Sequence, residues 1–187
     1  MTEPRLAPLP PSEFDDEVRA VLAAGGTVDG RVINIFATLA HHPKLLKRWL
    51  VFGAHVLAKS TLPVRDRELL ILRTGWNCRS PYEWGQHVAI ARATGISDAE
   101  IEAITTGPHA PSWEPFEATL LRAADELHGD SSLSDATWHA LRERYSDQQV
   151  VDTIFTVGQY HLVSMALNSC RVERDDGVTG VPIPARD

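Results

Sequence analysis

The sequence predicts an all-α fold: a single-domain helical bundle of about eight or nine helices. Three observations predict it. Apolar residues recur at three- and four-residue spacing in nearly every segment, whereas the strict alternation of a half-buried strand is almost absent. Helix starts are marked by Ser, Pro and capping-box patterns, and helix ends by Gly. A chain of 187 residues, 43% hydrophobic and 23% charged, suits one globular domain that buries its own core without a disulfide or metal staple.

Residues 1–11 are Pro-rich and unpatterned, and read as an extended arm placed to drape over a neighbour. Ser12 opens a short helix, Glu13–Ala24, which stops at Gly25-Gly26. Ile33–His41 and Pro43–Lys59 follow, separated by a proline that suits a first turn and no helix interior. Pro63 starts Val64–Asn77, and Ser80-Pro81 start the next helix through Thr94, which stops at Gly95. Ser97 and Glu100 form a capping box for a short helix to Thr105. Residues 107–113 (GPHAPSW) are the one clear internal loop. Pro115 opens a helix to His128, Ser134 caps one to Tyr145, and the Ser146–Gln149 capping box precedes a long helix to about Val172. The domain therefore spans 12–173, with a polar tail over 174–187. Residues 72–75 and 154–165 are apolar on more than one face, as buried central helices or helices at a subunit contact would be.

Eighteen Lys and Arg against 25 Asp and Glu leave a net charge of −7. That sign disfavours nucleic acid or an anionic membrane as partner, because either would be repelled over most of the surface. No stretch approaches the roughly 20 apolar residues of a membrane span. Met1-Thr2-Glu3-Pro4 carries an acid and no apolar run, and two widely spaced cysteines make no disulfide framework, so the expected location is cytoplasmic.

The segment 62–95 holds most of the functional signal. Val64, Glu68, Ile71, Leu72 and Gly75 share one helical face, so Glu68 lies on a stripe that faces inward. Burial raises a carboxyl pKa, which makes a Glu useful as a proton donor or base near neutrality. The structural alternative, favoured by spacing alone, is a first-turn acid bonded to an Arg. Glu83 and His87 stand four apart on the next helix, where a carboxylate one turn from an imidazole raises its pKa and orients it. The alternative there is a plain ion pair. Trp76, Tyr82 and Trp84 flank these acids as core or as walls of a small pocket. Cys78 reads as a packed thiol and His161 as a hydrogen-bonded core histidine. No HExxH and no CxxC with distant His spacing occurs, so neither a metal nor a cofactor is expected.

The run DRELLILRTGWNCRSPYEWGQHVAIARATGISDAEI (66–101) resembles the carboxymuconolactone decarboxylase family, which includes the alkylhydroperoxidase D-like proteins. Residues 34–63 and 157–173 are similar to the flanking segments of its longer members. The resemblance implies an all-helical fold assembled as a homotrimer or homohexamer, with the active site near a subunit contact. In the peroxidase branch a Glu precedes Cys-x-x-Cys-x-x-x-His. Glu68 and His87 match that Glu and His, but Ser80 and Glu83 stand where the cysteines would be, and neither supplies the thiol that peroxide reduction requires. The decarboxylase branch lacks the cysteines. It implies a lyase acting on a small lactone or carboxylate metabolite of the aromatic-catabolism type. In that reading His87 shuttles a proton, Glu83 orients it and Glu68 is a second acid, while Arg73, Trp76 and Tyr82 hold the substrate. The alternatives are alkylhydroperoxidase or peroxiredoxin-like antioxidant activity through Cys78, and a non-catalytic oligomeric binding protein.

Overall fold

The computed structural model describes residues 3–28 and 30–177, and among these the chain is almost entirely helical. A 3-10 turn at Pro11–Glu13 leads into α1 (Asp16–Gly25), α2 (Asn34–Leu39), α3 (Pro43–Ala58), α4 (Val64–Asn77), α5 (Pro81–Ala93), α6 (Asp98–Thr106), α7 (Pro115–Gly129), α8 (Asp135–Arg142) and α9 (Asp147–Cys170). The predicted bundle is therefore observed, with differences at element ends: the second helix, for one, is Asn34–Leu39 rather than Ile33–His41. The first helix starts at Asp16, because the Asp15 side chain accepts from the Val18 N–H and caps it there, while Ser12 lies in the 3-10 turn. The eighth ends three residues early, at Arg142, and the ninth ends at Cys170, where Arg171 takes a left-handed conformation.

The arm packs on its own chain rather than reaching away. The Arg5 and Leu6 N–H groups donate to the Cys170 carbonyl at 2.8 and 3.2 Å, and Leu9 donates to Ala37 at 3.1 Å. Proline leaves the arm few donors of its own, and these three N–H groups are used for docking. At the other end, Asp175 accepts from the Asn34 N–H, the Tyr82 hydroxyl and the Gln86 amide, pinning the chain after α9 across the start of α2 and one face of α5. Residues 178–187 of the predicted tail lie outside the described residues.

Helix α4 is the axis of the molecule. Every residue from Asp66 to Leu72 is buried on it, as are Thr74 and Gly75, because α5, α6, α7 and α9 all pack around it. Its first residue, Val64, is by contrast half exposed, so the inward stripe starts one turn later than its spacing implies. Leu69, Leu70 and Leu72 meet Trp84, Val88 and Ala91 of α5, Ile101 and Ile104 of α6, Leu120 and Leu121 of α7 and Val157 of α9 in one core. Each such side chain contributes about 1.5–3 kcal/mol. A smaller cluster joins Val18, Val21 and Leu22 of α1 to Ala40 and Leu46. A helix sheathed on all sides holds its polar groups in fixed places, and this fixes the site.

Candidate functional site

Three of the sequence-predicted residues converge. Glu68 of α4 accepts from His87 Nδ1 of α5 at 2.7 Å, and His87 Nε2 lies 3.0 Å from Glu83 Oε1 one turn earlier on the same helix. The other oxygen of Glu68 accepts from Arg67 Nε and Nη2 at 3.3 and 3.1 Å. Four charged groups thus form one line, Arg67–Glu68–His87–Glu83. Glu68 is 0% exposed, and Glu83 and His87 are each 5% exposed. The Tyr160 ring of α9 meets the imidazole edge-on with centroids 4.9 Å apart. Gly75 faces Glu83 and Trp84 where α4 meets α5, with the Trp84 nitrogen 3.7 Å from where a Cβ would stand.

Burial alone would discharge these groups, but their neighbours outweigh it. Desolvation pulls the His87 pKa down, yet the Glu68 carboxylate, by charge and hydrogen bond, and then Glu83 hold it up at about 9. Desolvation pushes Glu68 up, yet His87 and then Arg67 hold it below the ordinary carboxylate range. The expectation that burial makes Glu68 a proton donor near neutrality is therefore corrected: two cations bond its carboxylate and keep it ionised. The Tyr160 hydroxyl is pushed well above its usual value by burial and by the charges of Glu83 and Glu68. Near pH 7 the line is an imidazolium held between two acids.

The three residues expected to hold a substrate do not join this line. Arg73 points the other way on α4: Nε and Nη2 bond both oxygens of Asp125 at 2.6 and 3.0 Å, and Nη1 bonds the Ile104 and Thr105 carbonyls at the end of α6. Gly107 seals this contact, with φ +93° and a backbone so close that a Cβ would stand 2.6 Å from Arg73 Nη2. With its donors satisfied in this way, Arg73 has a structural occupation, which corrects its assignment as a carboxylate clamp. Trp76 packs on Trp84 with centroids 5.4 Å apart, at the edge of the main core. The Tyr82 hydroxyl donates to Asp175 and accepts from the Ile35 N–H, so its polar end is bound to the chain after α9. Ser80, in register with a peroxidase cysteine, is fully buried, and its hydroxyl has no hydrogen-bond partner among the described residues.

A cavity of about 700 Å³ opens elsewhere, lined by Asn77, Cys78, Arg79, His128, His161, Met165 and Asn168. None of Glu68, Glu83 and His87 lines it. His128 Nδ1 and His161 Nε2 are 2.7 Å apart, and the Cys78 sulfur is 3.8 Å from the same His128 nitrogen. Sequence reasoning missed Arg67, Tyr160 and His128. Arg67 carried one signal, as the Arg of the structural alternative for Glu68. The other two carried none, because they reach their partners across helices far apart in the chain.

Residues 43–126 match the model of the carboxymuconolactone decarboxylase family, a stretch that holds all of Arg67, Glu68, Glu83 and His87. That stretch, somewhat under half of the chain, is what is similar to the carboxymuconolactone decarboxylase family. No curated protein is detectably similar to it. Among solved structures it is similar to an alkylhydroperoxidase AhpD core, an uncharacterized peroxidase-related protein from Ralstonia eutropha JMP134. That match has a TM-score of 0.78 at 20% identity, covering 94% of this chain and 95% of that one. It is also similar to a peroxidase-related protein from Silicibacter sp. TM1040 (TM-score 0.80, 15% identity, 95% of each chain). The debrominase Bmp8 is a third such structure (TM-score 0.71, 14% identity, 91% of this chain and 92% of that one). At these identities the likeness establishes the AhpD-like fold and not the reaction.

Proposed function

We propose that this chain is a cofactor-free acid/base enzyme acting on a small lactone or carboxylate metabolite, a lyase of the carboxymuconolactone decarboxylase type. The observation that carries the reading is the buried Arg67–Glu68–His87–Glu83 line, a proton path rather than an isolated pair. Its geometry redistributes the roles expected from the sequence. Glu68 has no exposed surface and both oxygens occupied, so it anchors and charges His87 instead of touching substrate. Glu83 ends the line opposite Arg67, and in this reading it is the acid or base that meets substrate.

In a decarboxylation, the C–C bond to the departing carboxylate breaks and its electron pair stays in the conjugated lactone as a dienolate. Glu83 takes the Nε2 proton of His87 along the 3.0 Å contact and passes it to carbon, which quenches that anion, and solvent later restores the imidazolium. A fixed Glu68–Arg67 pair keeps the imidazole oriented throughout. Turnover of γ-carboxymuconolactone and related lactones tests the reading: His87→Gln and Glu83→Gln should each lower kcat by roughly 100-fold or more. Rates equal to wild type would remove the line from the reaction.

A second reading has its own observation. Cys78 lies 3.8 Å from His128 in an open cavity, an arrangement that also suits thiol chemistry with hydroperoxides and an external reductant. Loss of peroxide consumption in Cys78→Ser, with His87→Gln unaffected, would select it. For assembly, Val151, Phe155, Leu162 and Met165 form an exposed apolar face on α9, and Phe155 meets Phe52 of α3 edge to face at 6.1 Å. A face of this kind supports self-association as the homotrimer or homohexamer the family resemblance implies.

A further inference from the structure

Three side chains outside the acid/base line converge on one point. Cys78 closes α4, His128 stands in the last turn of α7, and His161 stands mid-way along α9. One ligating atom from each lies within 4.8 Å of the other two. Their meeting is built into the fold. The end of α4 is a Schellman motif: the Ser80 N–H donates to the Gly75 carbonyl and the Arg79 N–H to that of Trp76, which fixes the turn that carries the thiol. Arg79 occupies the left-handed position there with φ 48°, a conformation an L side chain adopts only at a cost of about 1–2 kcal/mol. From α9, the Asn168 amide donates to the Cys78 carbonyl at 3.0 Å and ties that turn to the helix bearing His161.

We propose that Cys78, His128 and His161 bind one divalent transition-metal ion of the zinc class, with a fourth coordination position open to the 700 Å³ cavity. One thiolate and two imidazoles form a borderline-soft donor set, suited to Zn2+ and its neighbours and poorly suited to Mg2+ or Ca2+. The distances fit. Tetrahedral zinc holds ligand nitrogens about 3.3 Å apart, and a sulfur and a nitrogen about 3.5 Å apart. The observed 3.8 Å between Cys78 Sγ and His128 Nδ1 is within a few tenths of an ångström of that. The two imidazole nitrogens, now 2.7 Å apart and sharing a hydrogen bond, would part by about 0.6 Å, a small rotation of rings at the edge of a cavity. Binding would displace the thiol proton and the proton between the imidazoles. Three protein ligands with an open position describe a reactive rather than a purely structural site, one able to take water or a small anionic donor. The site departs from the absence of metal expected from the sequence. The ligands stand 33 and 50 residues apart, so no short spacing announces them.

The test uses the untagged full-length chain, stripped with a chelator and titrated with Co2+ and Zn2+ by calorimetry and absorption. The expected result is one ion per chain, with visible cobalt bands of tetrahedral intensity and a near-ultraviolet thiolate-to-cobalt band. Cys78→Ser should abolish the thiolate band, and His161→Gln should weaken binding by roughly 100-fold or more. All three ligands border a cavity, so circular dichroism of these variants should match the parent. No stoichiometric uptake, or uptake that survives both substitutions, would overturn the proposal. So would rapid alkylation of Cys78 in a chain that takes up no metal, which would place a thiolate–imidazole nucleophile there instead.

Discussion

Replacing Glu68 with Gln keeps the shape of the site and removes its central charge. In the wild-type protein the His87 pKa stands at about 9 against an ordinary 6.5, a difference that corresponds to roughly 3 kcal/mol of folding stability. Because the folded value is the higher one, this contribution is fully present below pH 6.5 and is lost as pH rises towards 9. Glu68 has the opposite sign: its lowered pKa stabilises the fold above the unfolded carboxyl range and fails as pH falls through the folded value. The pair is thus most stabilising between about pH 5 and 6.5. In Glu68→Gln, burial again dominates His87, with only Glu83 opposing it, and Arg67 faces an uncharged amide. The variant should lose about 3–5 kcal/mol near pH 6, and the deficit should shrink by up to about 3 kcal/mol by pH 10. Urea unfolding of both proteins at several pH values between 5 and 10 measures this. A deficit that stays constant across that range would refute the claim that Glu68 sets the His87 charge.

Arg73→Ala should cost about 2 kcal/mol, because it leaves the part-exposed Asp125 with Asn77 alone and strips the carbonyls of Ile104 and Thr105 of their donor. It should leave KM unchanged for any substrate the enzyme turns over, whereas a carboxylate clamp would raise KM. Arg79→Gly should raise stability by roughly 1 kcal/mol in thermal or urea melts, since glycine takes the left-handed turn without strain. Phe155→Asp should shift light-scattering mass towards the 20.6 kDa of one chain, and a wild-type protein already at that mass would refute assembly through α9.

Much of the scaffold was legible because its punctuation is local. Pro63 and the first apolar turn set the start of α4 to the residue, and Ser97 with Glu100 set α6. The inward direction of Glu68 and the pairing of Glu83 with His87 followed from helical spacing for the same reason. What failed was non-local or energetic. Arg73 looked like a ligand for anions because nothing near it in sequence announces Asp125, 52 residues on, or the exposed carbonyls that end α6. The sign of the Glu68 shift depended on how two cations are placed around a buried acid, a balance that spacing does not determine. His128 read only as the end of a helix and His161 as a hydrogen-bonded core histidine, whereas the packing of α7 on α9 makes them neighbours at the edge of a cavity. The arm read as one placed to drape over a neighbour, because its anchors on its own chain are three backbone N–H groups and the Ala7 carbonyl bonded by His41, groups that carry no sequence signal.

The charge on His87 is the most direct test of the account. Nitrogen-detected NMR of the His87 side chain, followed from pH 5 to pH 10, should show both ring nitrogens protonated through neutrality and a midpoint near 9. A neutral ring at pH 7, with one nitrogen bare, would contradict a proton path running from Glu68 through His87 to Glu83.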